Sequence, residues 1–343
     1  MMHLSKQGKA IWFLAFLSPV IAEMLSGSSP IIEWLNPIVI AIFLGMYGAG
    51  AILARELTIR WNKGWACIIV LGAAYGIIEE GIAVKSFFDP GWVDLGELAA
   101  YGRYLDVNWV WSVWLTIFHS MVSIALVLLI FGLIYPEYRG VRLLTERRFR
   151  IVSVIFVLDI LLSAIGFVYI QDFVPPIGWY LLTFVVVAGL VLLAKHLPKN
   201  LISPRHESPT WSNASFFALG FLTFPTFIIT AASAPDSLNP LFIIALLLLM
   251  SAALLLLLQH KLGALGNDLP KAYYAVGFLW FFILFSFINE LGGLVSVSVG
   301  GMIFIVFTSL LIHKVRSYAR PNTSLGPLAS LRMRKRRRTV SNR

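Results

Sequence analysis

The sequence predicts an all-α fold, a polytopic transmembrane bundle of about ten helical spans. Three observations carry that reading. Hydrophobic residues make up 59% of the 343 positions and charged residues only 13%, against about 25% charged in soluble domains. Apolar runs near the roughly 20 residues that a helix needs to cross a bilayer recur along the whole chain. Finally, all but two of the 27 Lys and Arg, the exceptions being Lys85 and Arg103, fall on alternate connections between those runs. Cytoplasmic loops collect Lys and Arg, so this split places the N- and C-termini in the cytoplasm.

The spans run roughly over 11–26, 36–54, 65–86, 109–135, 151–170, 177–194, 214–233, 240–259, 272–290 and 294–313. The first follows Lys6 and Lys9 and carries Glu23 near its end. It lacks a small-x-small cleavage pattern and is read as a retained span rather than a signal peptide. The second is rich in glycine (Gly45, Gly48, Gly50), which suits close helix packing in a membrane. It ends in Arg55 and Glu56. Adjacent helical residues point about 100° apart, so these two read as separate interfacial anchors with snorkelling stems.

The third span holds the stretch around which the bundle is arranged, GAAYGIIEEGIAVKSFFDP over 72–90. Glu79 and Glu80 stand where a lipid-facing helix would carry Leu or Val. An ionisable residue inside the bilayer costs about 2.5–3.5 kcal/mol on insertion scales and marks a functional site by default. Gly72, Gly76 and Glu80 share one stripe, where small residues admit a neighbouring helix. Tyr75 sits one turn before Glu79 and is placed to hydrogen-bond it. The fourth span has a polar face of Ser112, Thr116, His119, Ser120 and Ser123 at three- and four-residue spacing. At 1.5 Å per residue, the two acids lie roughly 10 Å and His119 roughly 15 Å below the same outer surface. Between these spans the outer loop 86–108 carries Phe87, Phe88, Trp92, Tyr101 and Tyr104, followed by Trp109 and Trp111, which suits an interfacial aromatic belt. Its place over the acids also allows a lid or entrance.

Spans five to eight are almost wholly aliphatic and aromatic, with Asp159 the exception. His196, His206, His260 and His313 fall at the cytoplasmic ends, away from His119. Asn289 and Glu290, at the end of the ninth span, reach the same leaflet as Glu23 and the acid pair. The single cysteine, Cys67, lies in an apolar run and reads as packing, with no disulfide framework. The transmembrane bundle therefore covers 1–317. The remaining 318–343 form a basic cytoplasmic tail, ending RMRKRRRTVSNR, expected to be disordered and to bind anionic lipid headgroups at about 1 kcal/mol per basic residue. A charge distribution set by topology gives no reason to expect nucleic acid. The expected partners are the lipid bilayer, of the cell membrane by this reading, and a membrane-embedded substrate.

A Glu-Glu pair on one membrane helix with a histidine on the next resembles the CAAX-protease and bacteriocin-processing superfamily of intramembrane proteases. That family shows EExxxR, then FxxxH, then a later His-containing motif. Here Lys85 stands one position beyond the family arginine, Val84 occupies its place, Leu115 stands for the motif phenylalanine, and Asn289 is the only polar candidate for the third motif. The resemblance implies that Glu79 activates water for attack on a peptide bond, with Glu80 its neighbour and His119 assisting. Glu23, Tyr75, Lys85, Thr116, Asn289 and Glu290 would support the site or bind substrate. No cofactor and no metal ligand set is read from the sequence. The same buried carboxylates equally suit a proton-coupled transporter, where a Glu takes up and releases a proton, or a non-catalytic assembly or lipid-binding protein.

Overall fold

The computed structural model describes residues 5–202, 211–232, 238–262 and 267–319. Ten helices in it are long and apolar enough to cross a membrane: α1 Lys6–Leu25, α2 Pro37–Arg60, α3 Trp65–Ala83, α4 Trp109–Ile134, α5 Glu146–Gln171, α6 Ile177–His196, α7 Asn213–Ala232, α8 Pro240–Lys261, α9 Leu269–Leu291 and α10 Val297–Tyr318. The expected all-α bundle is what forms. The helix boundaries move by up to six residues: polar ends extend α1, α2, α5 and α10, while α3 stops early at Ala83 and α10 starts late at Val297. Ser5 caps α1 and Thr145 caps α5, each accepting a backbone N–H of the first turn. Of the expected tail, only its first residues are described, as the end of the last helix, which runs to Ala319. The rest of the tail, and His206, lie outside the described residues.

Helices α1 to α4 and α9 form the buried centre, and α5, α6 and α8 present aliphatic surface, such as Leu162, Val185 and Leu249. Close approach in the centre depends on glycines. A Cβ on Gly48 would strike the Ala15 backbone of α1, and one on Gly72 would lie 2.8 Å from Ser120 Cα of α4. A Cβ on Gly76 would lie 2.9 Å from His119 Cβ and 3.3 Å from Thr116 Cα. The small-residue stripe of α3 thus faces α4 and fixes the spacing of those two helices. Gly45 of α2 receives the Asp159 side chain of α5, which gives that isolated acid its neighbour.

At one end of the bundle the α4–α5 connection folds back over the end of α2. Arg55 and Glu56 are buried there and pair through Nη1 and Oε1 at 2.9 Å, rather than snorkelling apart to the interface. Glu56 accepts the backbone N–H groups of Leu143 (2.7 Å) and Leu144 (3.4 Å), while Arg55 binds the carbonyls of Tyr138 and Val141. The adjacent residues converge because the connection supplies partners on both sides of the helix end. A buried charge persists only with such partners.

At the opposite end, the 86–108 connection is packed, not loose. Lys85 adopts φ +67 and stops α3. Arg103 and Tyr104 (β1) pair antiparallel with Val107 and Asn108 (β2) through a turn in which Leu105 and Asp106 both have positive φ, the geometry of a tight hairpin. Arg103 donates to the carbonyls of Phe88 and Asp89, and Asn108 to that of Leu98 (2.6 Å). The expected aromatic belt is divided: Tyr104 and Trp109 are exposed, but Phe87, Phe88, Tyr101 and Trp111 are buried beneath the connection. Hydrogen bonding of the loop backbone draws these rings inward against the ends of α3 and α4.

Candidate functional site

Four helices bring ionisable and hydroxyl groups to one buried cluster beneath that connection. Each contributes from a π-helical turn: Val20–Leu25 of α1, Leu44–Gly48 of α2, Ile78–Ala83 of α3 and His119–Leu126 of α4. Among the described residues no other π turn occurs. Such turns insert a residue into the 3.6-residue repeat, and they concentrate at functional sites. Here they carry Glu23, Tyr47, Glu79 with Glu80, and His119.

The imidazole of His119 lies between the two acids of α3. Nε2 meets Glu80 Oε1 at 2.9 Å, and Nδ1 lies 3.1 Å from Glu79 Oε2. Nδ1 also bonds Ser123 Oγ at 3.0 Å, one helical turn away. The other oxygen of Glu80 accepts from Ser86 Oγ, which in turn accepts from Trp111 Nε1 at 3.0 Å. Both Glu80 oxygens are therefore engaged, and the lid-like connection is tied to the cluster through Ser86. Glu79 differs. Its Oε1 meets the Tyr47 hydroxyl, while its Oε2 is buried and accepts no hydrogen bond. A buried acceptor without a partner costs about 1–3 kcal/mol, and this one lies beside a histidine.

Tyr47 reaches the cluster from α2, and its hydroxyl contacts both Glu23 Oε1 and Glu79 Oε1. A phenol has one hydrogen to donate. Both contacts can be hydrogen bonds at once only if one carboxyl is protonated and donates to the phenol oxygen. On the other side, Ser123 can donate to Nδ1 or accept from it, so the histidine nitrogen nearest the free Glu79 oxygen can change protonation without losing its partner.

Of the residues singled out by sequence, Glu23, Glu79, Glu80 and His119 come together. Tyr75 packs its ring 5.9 Å from the imidazole; its hydroxyl, buried beside Glu79, is left without a hydrogen bond of good geometry. Lys85 turns away and donates to the carbonyls of Ala83 and Ala164. Thr116 bonds back to Ser112 O at 2.7 Å, and its backbone lies close against Gly76. Asn289 sits by Gly27, in the turn after α1. Glu290 is a helix cap, accepting the N–H groups of Ser296 and Ser298 at 3.0 Å each. Sequence reasoning missed Tyr47, Ser86 and the role of Trp111. The glycines on either side of Tyr47 (Gly45, Gly48) were the signal available for the first of these.

Glu79, Glu80 and His119 offer ligand atoms all within 4.8 Å of one another, a spacing that fits a single metal ion. In the connection above, partial burial and then the Glu80 charge push the Asp94 carboxyl above its ordinary range. No family model, no curated protein and no solved structure gives a match to the chain.

Proposed function

We propose that this integral membrane protein uses the Glu79–Glu80–His119 group to hydrolyse a peptide bond within the membrane, as the resemblance to the CAAX-protease and bacteriocin-processing superfamily implies. The observation that carries the reading is the buried, unpartnered Glu79 Oε2 held 3.1 Å from His119 Nδ1. A carboxylate oxygen without a donor is free to bind and deprotonate a water molecule. The water oxygen then adds to the carbonyl carbon, the C–N bond breaks, and the proton taken by Glu79 passes to the leaving amine. His119 takes part through Nδ1, donating to the developing oxyanion, while Glu80 and Ser86 fix the ring through Nε2. The centre is closed in this conformation, with Glu79, Glu80 and His119 at 2%, 8% and 2% exposure, so turnover requires the 86–108 connection to loosen.

The test is cleavage of a membrane-embedded peptide by the reconstituted chain. Glu79→Gln keeps the shape and the Tyr47 contact but cannot accept the proton, and is expected to abolish cleavage with expression intact. Unchanged cleavage would end this reading. Proton-coupled transport is the second reading, favoured by the Glu23–Tyr47–Glu79 bridge, in which one hydroxyl joins two buried carboxyl groups. It requires substrate movement in vesicles driven by a pH gradient, which Glu79→Gln would uncouple while leaving substrate bound. In both readings the termini are cytoplasmic and the membrane is that of the cell.

A further inference from the structure

Far from the acid cluster, at the end of the bundle where α2 meets α3, lies a chamber of about 280 Å³. Its lining includes Arg55, Lys63, Arg139 and Lys271 and, among the described residues, no acidic one. Two acids lie just outside it. Asp268 pairs with both Arg139 (2.7 Å) and Lys271 (3.2 Å), and Glu56 pairs with Arg55 (2.9 Å). Among the described residues Lys63 has no acidic partner: its ammonium donates to the Leu197 carbonyl at 2.7 Å. Four cations around one small space, facing two carboxylates that sit behind them, leave positive charge uncompensated.

A second cavity adjoins the chamber. Trp65, Leu129 and Lys271 line both. This second space, about 370 Å³, is a cleft between α3 and α4 on one side and α8 and α9 on the other, walled by residues such as Ile69, Leu254, Leu258 and Phe278. Along α8 its lining extends from Leu248 to Leu262, roughly 20 Å at 1.5 Å per residue, about two-thirds of a hydrocarbon core. Leu248 is itself 54% exposed, so the cleft is open towards the apolar surroundings of the bundle.

We infer that the adjoining cavities are a binding site for an anionic phospholipid, with its phosphate in the Arg55–Lys63–Arg139–Lys271 chamber and one acyl chain in the cleft. The charge selects the head, since basic pockets between membrane helices hold anionic headgroups. The apolar cleft selects an amphiphile over a soluble anion, because only a chain removes its lining from contact with polar solvent. The cation chamber lies apart from the acid cluster, while the cleft reaches Thr116 and Ser120 on either side of His119; the inference does not depend on any catalytic reading.

The full chain, purified in a neutral detergent, is titrated with phosphatidylglycerol, phosphatidylcholine or inorganic phosphate, and binding is read by native mass spectrometry and by the shift in Tm. Phosphatidylglycerol is expected to bind and raise the Tm, with the other two ineffective at the same concentration. Lys63→Gln with Lys271→Gln is expected to weaken binding about 30-fold, taking about 1 kcal/mol per basic residue. The control pair Lys195→Gln with Arg147→Gln removes equal charge outside both cavities, keeps the tail, and is expected to bind as the parent does. Ser251→Phe, which fills the cleft from α8, is expected to weaken the lipid at least ten-fold while leaving all four cations in place. Equal binding of phosphatidylcholine would overturn the inference, as would full activity of inorganic phosphate or equal losses in the control pair. Should the Lys63/Lys271 pair fail to fold, the Ser251→Phe result decides alone.

Discussion

His119 on α4 and Glu80 on α3 meet at 2.9 Å through Nε2 and Oε1, and this contact orients the imidazole so that its other nitrogen lies beside Glu79. Replacing His119 by Ala leaves Glu80 Oε1 buried without its partner and removes the imidazole beside Glu79. Removing one partner of a buried ionic group costs about 3–5 kcal/mol, so His119→Ala is expected to lower the Tm markedly and to abolish cleavage. His119→Gln restores a donor towards Glu80 and is expected to recover stability but not activity. Thermal unfolding alongside the cleavage assay separates the two. Full activity in His119→Gln would remove the histidine from the chemistry.

The spacing of α3 and α4 gives a second prediction. A Cβ at position 76 would lie 2.9 Å from His119 Cβ and 3.3 Å from the Thr116 backbone, and backbone cannot swing aside. Gly76→Leu is expected to destabilise the bundle by about 1–3 kcal/mol, as overpacking does, and to separate Glu80 from His119. Gly178→Leu is the control, since nothing lies within 4 Å of a Cβ there. Equal effects of the two substitutions would show that α3 and α4 do not need this contact.

These particular residues also show what the sequence could reveal. Spans, acids and histidine were legible because apolar length and buried charge are one-dimensional signals. Depth counted along straight α-helices was enough to bring Glu79, Glu80 and His119 near one another. It could not anticipate the π turns, which shift the facing of each residue and admit Tyr47 from α2. Nor could it anticipate that α3 would stop at Ala83, setting the acids within the last turn. Arg55 and Glu56 were misread for a related reason. Their partners are backbone groups of the 138–144 segment, and backbone hydrogen-bonding capacity is the same in every sequence. Glu290 was drawn towards the site by depth alone, whereas Ser296 and Ser298, whose N–H groups it caps, begin the next helix.

Glu56 yields a third prediction. It is fully buried and joins Arg55 to the N–H groups of Leu143 and Leu144. Glu56→Gln keeps an acceptor but removes the charge facing Arg55, and is expected to cost about 3 kcal/mol. Because this end of the bundle is remote from the acid cluster, the protein that remains folded is expected to keep its activity per molecule. Measured stability equal to the parent would make the Arg55–Glu56 pair dispensable.

Orientation is checked independently of chemistry. All Lys and Arg outside the 86–108 connection and its junction at Lys85 fall on the other set of connections, and this bias sets orientation. Single cysteines placed in the 86–108 and 136–145 segments of a Cys67→Ala background are expected to label from opposite faces of sealed vesicles, the second from the cytoplasmic face. Labelling of both from one face would remove the topology.

Tyr47 separates the two functional readings. Its hydroxyl contacts Glu23 and Glu79 together, and the ring packs 6.4 Å from His119 and 6.0 Å from Tyr75, so Tyr47→Phe deletes the bridge while keeping most of the packing. For a protease, the bridge only positions Glu79, whose working oxygen is the other one. Tyr47→Phe is then expected to lower kcat by about 10-fold, the loss of one positioning hydrogen bond of about 1.4 kcal/mol, with KM held. For a proton-coupled carrier, the bridge is the path by which Glu23 and Glu79 share a proton. Tyr47→Phe would then abolish gradient-driven uptake while substrate still bound. Glu23→Gln supplies the crossing arm: it should leave cleavage within a few-fold of the parent if Glu79 is the base, but should stop uptake if the pair carries the coupled proton. Cleavage lost in Glu23→Gln, with the fold intact, would place the proton exchange at Glu23 and overturn the assignment of Glu79 as the sole base.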